Sequence, residues 1–388
     1  MSPADPGSPR VAVLGQGWFP DDPGGLNRYV RDLLEAFAAA GEPLPAVALS
    51  PAADAPENVT LAAAASDSLP LRLRRYHAEA ARICRDADVV DAHFALYALA
   101  PFTAGPARKL GRVVHFHGPW ADEVAQMGRG GRASRSARSA IERATYRQAH
   151  QVIVLSRAFE RLAVERYGVK PERVSVVAPG VDLVRFAPGP RQQARRRLHL
   201  PEDRPVAVCV RRLDARMGLL VLLEAWTMIV RELSEPPLLL IAGVGPLRDE
   251  LDRRTRAAPP LRETVRLLGQ VEDGDLPLLY RAADVSIVPS LSNEGFGLVT
   301  LESLACGTAV VATDVGGLPE ALDGLDGETI VPAGDAGGLA RRVVRGLAGT
   351  QPLPSPSACR AHAERFGWGA AVARHREIYR WAAAARHG

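Results

Sequence analysis

The sequence predicts an α/β protein with two doubly wound domains, each built on a parallel sheet. Its 388 residues are more than one domain usually holds, and 47% hydrophobic with 24% charged residues is typical of a globular protein. Short apolar segments alternate with helical patterns along the chain, as repeated βα units on parallel sheets do. A stretch rich in proline and arginine interrupts this alternation and separates two series of strands.

The first series of strands belongs to a predicted N-terminal domain, residues 1–186. The helical segment LNRYVRDLLEAFAAAG follows its first strand and ends at Gly41, a residue type common at helix C-termini. The predicted strands of this domain are 11–14, 46–49, 89–93, 112–117, 151–156 and 174–178.

The second series follows a predicted linker, residues 187–204, and belongs to a C-terminal domain, residues 205–365. Residues 366–388 are a predicted helical tail that carries aromatic anchors. Doubly wound domains bind ligands outside the carboxyl ends of their strands, so we expect a ligand-binding cleft between the two domains. The predicted strands are 206–210, 237–243, 265–269, 285–289, 309–313 and 329–334.

The composition excludes several classes of protein. No window approaches the roughly 18 uninterrupted apolar residues of a membrane span. The polar, proline-rich N-terminal segment MSPADPGSPR lacks the apolar core of a signal peptide. The four cysteines have neither metal-binding nor redox spacing, which favours a cytoplasmic protein with buried thiols. The net charge is +4, and we expect no nucleic-acid partner.

Two glycine pairs near the N-terminus have different interpretations. Gly15 and Gly17 follow a strand like a dinucleotide-binding turn, but Pro20 stands where the third glycine belongs, so no nicotinamide or flavin cofactor is expected. Gly24 and Gly25 open a long helix, where exposed backbone N–H groups suit an anionic oxygen. A plain turn from loop to helix is the alternative for this second pair.

The segment SNEGFGLVTLE places two glutamates, Glu294 and Glu302, on either side of a glycine-rich turn. The flanking strand and helix patterns put Glu294 in the turn and Glu302 just over one turn inside the helix. An ionised carboxylate offers only acceptors, so Glu302 suits two vicinal ribose hydroxyls and Glu294 suits a sugar beyond the phosphates. A chance pair of glutamates on a helix surface is the alternative.

The turn between these glutamates is predicted to bind a diphosphate. Gly295 and Gly297 allow the backbone to turn tightly around Phe296. The helix that follows presents unpaired backbone N–H groups near Leu298 and Val299. These donors and the helix dipole favour an anion.

A third candidate feature is the basic segment GRGGRASRSARSAIERATYRQAH, in which Glu142 is the only acid. Such a segment can hold an anionic acceptor or make peripheral contact with an acidic membrane surface. A solvated helix face beside a glycine loop is the alternative. Its arginines are Arg129, Arg132, Arg135, Arg138, Arg143 and Arg147.

Together these motifs resemble the retaining nucleotide-sugar glycosyltransferases of family 4, which have the two-domain GT-B fold. The resemblance covers nearly the whole chain and is carried by the two glutamates and by the segments GTAVVATDVGGLPE, IAGVGPLRDEL, APGVDLVRF, PGGLNRYV and ERFGWGAAVARHREIY. It implies two Rossmann-like domains facing a central cleft, with the acceptor on the N-terminal domain and the nucleotide sugar on the C-terminal domain. It also implies a tail helix that returns to the first domain.

The resemblance further implies the reaction. A sugar would move from a nucleotide diphosphate sugar, UDP- or GDP-linked, to a hydroxyl-bearing acceptor, with the anomeric configuration kept and with neither a metal nor a cofactor. Glu294 would orient the sugar, His117 would reach it near the reacting carbon, and Arg212 would neutralise the departing diphosphate. His93 would line the acceptor side together with Gly24 and Gly25. A structural role at a strand end is the alternative for His117.

The sequence departs from the family pattern at Met217, where a phosphate-binding lysine is usual. Either Arg216 or Arg211 takes over this charge, or one fewer cation serves the leaving group, and we favour Arg216. Gly243 and Gly245 are expected to leave room for the nucleobase or ribose.

Two rival functions remain open at this level. A nucleotide-sugar epimerase shares the fold, although the spacing of the two glutamates disfavours it. A non-catalytic nucleotide-sugar-binding subunit is supported only by Met217.

Overall fold

Two parallel sheets organise the computed structural model, which describes residues 8–22, 24–50, 55–64, 66–126 and 131–386. The strands are β1 (Val11–Gly17), β2 (Ala46–Leu49), β3 (Val59–Ala63), β4 (Val89–Ala92), β5 (Gly111–Phe116), β6 (Gln151–Val154), β7 (Val174–Val176), β8 (Val206–Val210), β9 (Leu238–Ala242), β10 (Val265–Gly269), β11 (Val285–Val288), β12 (Val310–Thr313) and β13 (Ile330–Val331). The helices are α1 (Gly25–Ala39), α2 (Leu69–Ile83), α3 (Ala95–Ala104), α4 (Trp120–Gln126), α5 (Arg132–Gln148), α6 (Arg157–Tyr167), α7 (Arg191–Arg197), α8 (Leu219–Glu232), α9 (Arg248–Ala257), α10 (Pro259–Thr264), α11 (Leu276–Ala282), α12 (Leu298–Ala305), α13 (Leu318–Ala321), α14 (Ala336–Leu347), α15 (Pro356–Glu364) and α16 (Trp368–Ala385).

The first compact unit contains the described residues up to Gly180 and those from Trp368 onwards. Its seven-stranded sheet has the order β3-β2-β1-β4-β5-β6-β7, with every pair parallel. The central strands are buried on both faces, which is why their sequences are continuous apolar runs. Amphipathic α1 buries Tyr29, Leu33 and Phe37, which recur at helical spacing.

The second compact unit runs from Val181 to Gly367. Its six-stranded parallel sheet has the order β10-β9-β8-β11-β12-β13. Helix α8 buries Trp226 completely, and α14 is capped by Asp335, whose carboxylate accepts from the N–H of Gly338. The order in each sheet reverses beside its first strand, as in doubly wound folds. The predicted fold class is therefore confirmed.

Every strand predicted from the apolar pattern overlaps an observed strand, but β3 was missed. This strand, VTLAA, lies at the edge of the first sheet and pairs only with β2. An edge strand is covered less completely, and three of its five residues are only partly buried. Its sequence therefore lacks the continuous apolar run that marks the central strands.

The predicted linker, residues 187–204, proves to be folded and belongs to the second unit. It contains α7, in which Arg195 is buried although the helix is rich in arginine. The Arg195 guanidinium donates to the carboxylate of Asp284 at 2.7 Å and to the carbonyl of Ala282 at 2.9 Å. A buried, paired arginine looks like part of a polar linker in the sequence, because composition does not show the partner. The units instead divide after Gly180 and after Gly367.

The helical tail forms two helices that belong to different units. Helix α15 lies in the second unit, whereas α16 lies in the first unit together with the N-terminal strands. Among the described residues no helix is long and apolar enough to cross a membrane. The four cysteines, all buried and unpaired, are Cys84, Cys209, Cys306 and Cys359.

Candidate active sites in the two units

The turn that carries Glu294 joins β11 to α12 in the second unit. Asn293 and Gly297 both adopt left-handed backbone conformations, with φ of 53° and 83°. A Cβ atom on Gly297 would meet the Leu318 side chain at 2.5 Å, so this position favours glycine for its space as well as its conformation. Helix α12 then begins at Leu298, as predicted, and its first residues Leu298 and Val299 are partly exposed.

Glu294 is held by a buried arginine. The guanidinium of Arg211 donates to the Glu294 carboxylate and to the hydroxyl of Ser290, which in turn lies 3.1 Å from the same carboxylate. Only 14% of the Glu294 side chain is exposed. Burial alone would raise the pKa of Glu294, but the charges of Arg211 and Arg216 offset it and hold the pKa below its ordinary value. Glu294 is therefore an ionised acceptor at neutral pH.

The three arginines after β8 have different surroundings. Arg211 is buried against Glu294 and lies beside the thioether of Met217, so its charge is already compensated within the unit. Arg216 is partly buried and donates to the carbonyl of Asn293 at 3.0 Å, next to Glu294. Arg212 is exposed, and its side chain has no hydrogen bond or ion pair to any residue that the structure describes. Of the two candidate substitutes for lysine, Arg211 is thus committed to Glu294, which favours Arg216.

Glu302 lies inside α12, where only 4% of it is exposed. The hydroxyl of Tyr280 donates to its Oε2 at 3.0 Å. Tyr280 belongs to α11 and is itself fully buried. This contact fixes the direction of the Glu302 side chain, and sequence spacing gave no sign of it.

Two sets of predicted donor-binding residues are placed differently from the expectation. Phe296 is buried, and its ring lies 5.5 Å from that of Phe366, so the side chain packs in the interior instead of facing a ligand. A Cβ atom on Gly243 would lie 1.9 Å from the Arg211 carbonyl, and one on Gly245 would lie 2.4 Å from a neighbouring carbonyl. On the side where a Cβ atom would stand, these glycines therefore contact protein backbone, because the loop after β9 packs directly on the loop after β8. Partly buried Gly295 remains in the turn itself.

The second candidate site is a histidine cluster in the first unit, at the carboxyl ends of β4 and β5. His93 and His115 are almost completely buried, and His117 is partly buried. Nδ1 of His93 lies 3.0 Å from Nε2 of His117, and Nε2 of His115 lies 3.2 Å from Oδ2 of Asp91. Oδ2 of Asp91 is also 3.5 Å from Nε2 of His93. The two histidines predicted from the sequence are therefore neighbours.

Helix α16 supplies two further residues to this cluster. The hydroxyl of Tyr379 donates to Asp91 at 2.6 Å, and the His375 ring stacks on that of His115 at 5.4 Å. Nδ1 of His375 donates to a backbone carbonyl at 2.7 Å, so Nε2 of the neutral ring accepts from Tyr29, 3.4 Å away. A polar residue inside the apolar strand β4 was the only sequence signal for Asp91. Tyr379 was one of the aromatic anchors of the predicted tail, but its partner was not predicted, and His375 gave no signal.

Burial controls the protonation of the cluster. It lowers the pKa of His115 to about 3 and holds the pKa of His117 well below its ordinary value. Burial also opposes the ionisation of Asp91, but the adjoining His115 and His93 offset it and leave the Asp91 pKa below its usual range. His115 and His117 are thus neutral near pH 7.

The same three histidines can hold a metal ion, since their nitrogen atoms lie within 4.8 Å of one another. Nδ1 of His93 and Nε2 of His117 are, however, already within hydrogen-bonding distance of each other. A hydrogen bond between the two rings therefore accounts for these two nitrogens without an ion.

Two further predicted features lie in the first unit. Gly24 is the N-cap of α1, and Gly25 has open space where a side chain would be, so the start of this helix is unobstructed there. Arg129 of the basic segment lies outside the described residues. The other arginines of that segment all lie on α5.

Two protein-family models match the chain. The model described as Glycosyltransferase Family 4 covers residues 23–185, and the one described as Glycosyl transferases group 1 covers residues 204–348. Among curated relatives, the D-inositol 3-phosphate glycosyltransferase of Salinispora arenicola is 32% identical over 97% of this chain and 92% of its own length.

Solved structures are also similar. Sucrose-phosphate synthase from Thermosynechococcus elongatus superposes with a TM-score of 0.78 at 25% identity, covering 97% of this chain and 99% of that one. Anabaena HepE, solved in complex with UDP and glucose, gives a TM-score of 0.75 at 19% identity, covering 95% of this chain and 98% of that one. At this lower identity the likeness is one of fold.

Proposed function

The chain belongs to the family 4 glycosyltransferases, and on this basis we propose that it moves a sugar from a nucleotide diphosphate sugar to a hydroxyl acceptor. The reaction retains the anomeric configuration and needs no metal. The observation that carries the proposal is the setting of Glu294. This ionised carboxylate is fixed by Arg211 just before the start of α12. Arg212 and Arg216 are close to Arg211 in the sequence, and Arg216 contacts Asn293, the residue before Glu294.

The leaving diphosphate binds, in this proposal, at the start of α12. The backbone N–H groups of Leu298 and Val299 and the helix dipole favour an anion there. Arg212 is exposed and uncommitted among the described residues, so its guanidinium is available for two parallel hydrogen bonds to phosphate. Arg216 replaces the missing lysine. Donors fixed in advance stabilise the charge that grows on the phosphate as its bond to the sugar breaks.

Glu294 accepts hydrogen bonds from the donor sugar and does not attack it. Its buried salt bridge with Arg211 keeps it ionised and fixed, which suits orientation better than nucleophilic attack. The acceptor oxygen forms the new bond to the anomeric carbon on the face that the diphosphate leaves. The proton of the acceptor hydroxyl passes to the departing phosphate oxygen. His117 contacts the sugar near the reacting carbon, and Glu302 binds the ribose.

A donor panel tests this function. UDP- and GDP-linked sugars are incubated with and without candidate hydroxyl acceptors, and nucleotide release is measured. The name of the curated relatives supports including D-inositol 3-phosphate among the acceptors. Acceptor-dependent release is expected. Epimer formation without an acceptor, or no release with any donor, contradicts the proposal.

Two measurements on the product test the finer claims. Proton NMR of the glycoside is expected to show the same anomeric configuration as the donor, and the opposite configuration excludes retention. Turnover is expected to be unchanged by EDTA. If EDTA abolishes turnover and Mg²⁺ or Mn²⁺ restores it, the reaction is not metal-independent.

We also propose a cytoplasmic location, where nucleotide sugars are available and thiols stay reduced. The four buried, unpaired cysteines support it. Cell fractionation tests it, and recovery of the native protein outside the cytoplasmic fraction contradicts it.

A further inference from the structure

A cluster of basic side chains lies at the amino ends of three neighbouring strands in the first unit. Arg112 is the second residue of β5, His150 directly precedes β6, and Arg173 directly precedes β7. Arg108 lies in the single turn that leads into β5. We call these four residues the basic edge cluster. His117 follows the other end of β5, roughly 17 Å away along the strand, so the cluster lies at the opposite edge of the sheet from this histidine.

Two hydrogen-bond donors face each other inside this cluster. The backbone N–H of Arg112 donates to Nδ1 of His150 at 2.9 Å, so Nδ1 carries a lone pair. Burial, together with the charges of Arg112 and Arg173, lowers the pKa of His150 to about 4, so the ring is neutral near pH 7 and its proton lies on Nε2. Nη2 of Arg112, which can only donate, lies 3.3 Å from this Nε2. Neither nitrogen can accept a hydrogen bond from the other.

The rest of the Arg112 guanidinium is fixed by backbone carbonyls. Nε donates to the carbonyl of Gln148 at 2.7 Å, and Nη1 donates to the carbonyl of Arg108 at 2.5 Å. These two contacts hold the plane of the guanidinium and keep Nη2 directed towards His150. Carbonyl oxygens carry no net charge, so they do not neutralise this partly buried arginine.

The described part of the chain offers the cluster no carboxylate partner. The side chains of Arg108 and Arg173 form no hydrogen bond or ion pair with any described residue. Glu172, the neighbour of Arg173 in the sequence, is exposed and forms no ion pair with a described residue either. The pKa of Arg112 is lowered, first by burial and then by the charges of Arg108 and Arg173. These two arginines are therefore close enough to repel Arg112.

We propose that the basic edge cluster binds a phosphate group, as inorganic phosphate or as a small phosphate monoester. An oxygen of the anion accepts from Nη2 of Arg112 and from Nε2 of His150, which relieves the contact between the two donors. Its charge offsets those of Arg108 and Arg173. A water molecule would accept the same hydrogen bonds but would leave the three guanidinium charges uncompensated. The site is separate from the groups to which the proposed function assigns the donor and the acceptor, and it does not depend on that function.

Magnetic resonance of the His150 ring reports directly on binding at this site. The protein is labelled with carbon-13 at Cε1 of histidine, and the His150→Gln variant assigns the resonance. Inorganic phosphate is titrated near pH 7, at constant ionic strength, against the parent, a test variant and a control variant. The test variant combines Arg108→Gln with Arg173→Gln. The control variant combines Arg74→Gln with Arg231→Gln, two exposed arginines that also lack described side-chain partners.

The His150 resonance of the parent is expected to shift with phosphate and to saturate. The test variant should bind at least about tenfold more weakly, because two favourable charges are lost, and the control variant should bind like the parent. A second titration, with glycerol 3-phosphate, distinguishes the two sources of the phosphate group. Binding of similar affinity indicates a monoester, whereas binding of inorganic phosphate alone indicates the free anion. No saturable shift in the parent with either compound, or equal affinity in all three proteins, overturns the proposal.

Discussion

Asp91 and Glu294 are both carboxylates removed from water, but different groups stabilise their charge. Asp91 is fully buried and interacts with the rings of His115 and His93 and the hydroxyl of Tyr379. Glu294 keeps 14% of its side chain exposed and pairs with a buried guanidinium. The first arrangement uses donors from the end of β4, from β5 and from α16, and it fastens α16 to the sheet. The second uses a permanent cation and leaves an acceptor beside an open helix start.

This difference indicates which carboxylate serves stability and which serves chemistry. A fully buried carboxylate cannot be reached by a substrate hydroxyl, although Oδ1 of Asp91 has no hydrogen-bond partner among the described residues. A carboxylate with an arginine on one side and solvent on the other keeps lone pairs for substrate hydroxyls. Four experiments test this assignment, and their expected effects decrease from the first to the last.

Glu294→Gln is expected to lower turnover by roughly 100-fold while changing nucleotide affinity little, because a fixed charged acceptor for the sugar is lost. Steady-state kinetics and UDP titration measure the two effects. Glu250→Gln, at a partly exposed glutamate of α9 that pairs with Arg254, is the matched control and should behave like the parent. Equal losses of turnover and nucleotide affinity would contradict a sugar-orienting Glu294.

Asp91→Asn is expected to lower the free energy of unfolding by about 2–3 kcal/mol, because buried donors lose their ionised acceptor. Urea denaturation measures this change. Tyr379→Phe removes only one of these donors and should cost less, about 1.5 kcal/mol. An Asp91→Asn protein as stable as the parent would show that Asp91 does not fasten α16.

Arg216→Ala is expected to raise the KM for the donor about tenfold, which corresponds to one lost charge-assisted contact. The variant tests whether Arg216 replaces the lysine that Met217 excludes. Arg231→Ala, at an exposed position of the same unit, is the control. If donor kinetics stay the same in Arg216→Ala, another group carries this role.

The pH dependence of stability gives the smallest effect at neutral pH. The His115 pKa is about 3 in the folded chain and about 6.5 unfolded, so the unfolded state binds more protons between these values. The contribution of His115 is fully present above pH 6.5 and is lost as the pH falls through this window, by about 1.4 kcal/mol per pH unit. His115→Gln should reduce the slope of unfolding free energy against pH by this amount. An unchanged slope would mean that His115 is protonated in the folded state.

Local pattern predicted much of the fold and part of the candidate site. Each predicted strand overlaps an observed one, and α12 begins at Leu298 as its glycine turn indicated. The linker prediction failed around Arg195, because the sequence does not show whether an arginine is buried and paired or solvated. A side chain at Gly243 or Gly245 would clash with a neighbouring loop, which no local pattern reveals.

The alternation of strands and helices, the turn between the two glutamates and the family could all be inferred from sequence, because they depend on residues close together in the chain. The partners of the buried side chains emerged only once the chain was folded. Tyr379 reaches Asp91 across 288 residues, and Arg211 reaches Glu294 across 83. Such contacts depend on where the packing of whole helices and sheets brings each side chain. Hydrophobic periodicity indicates only which face a residue occupies, so it cannot predict these contacts.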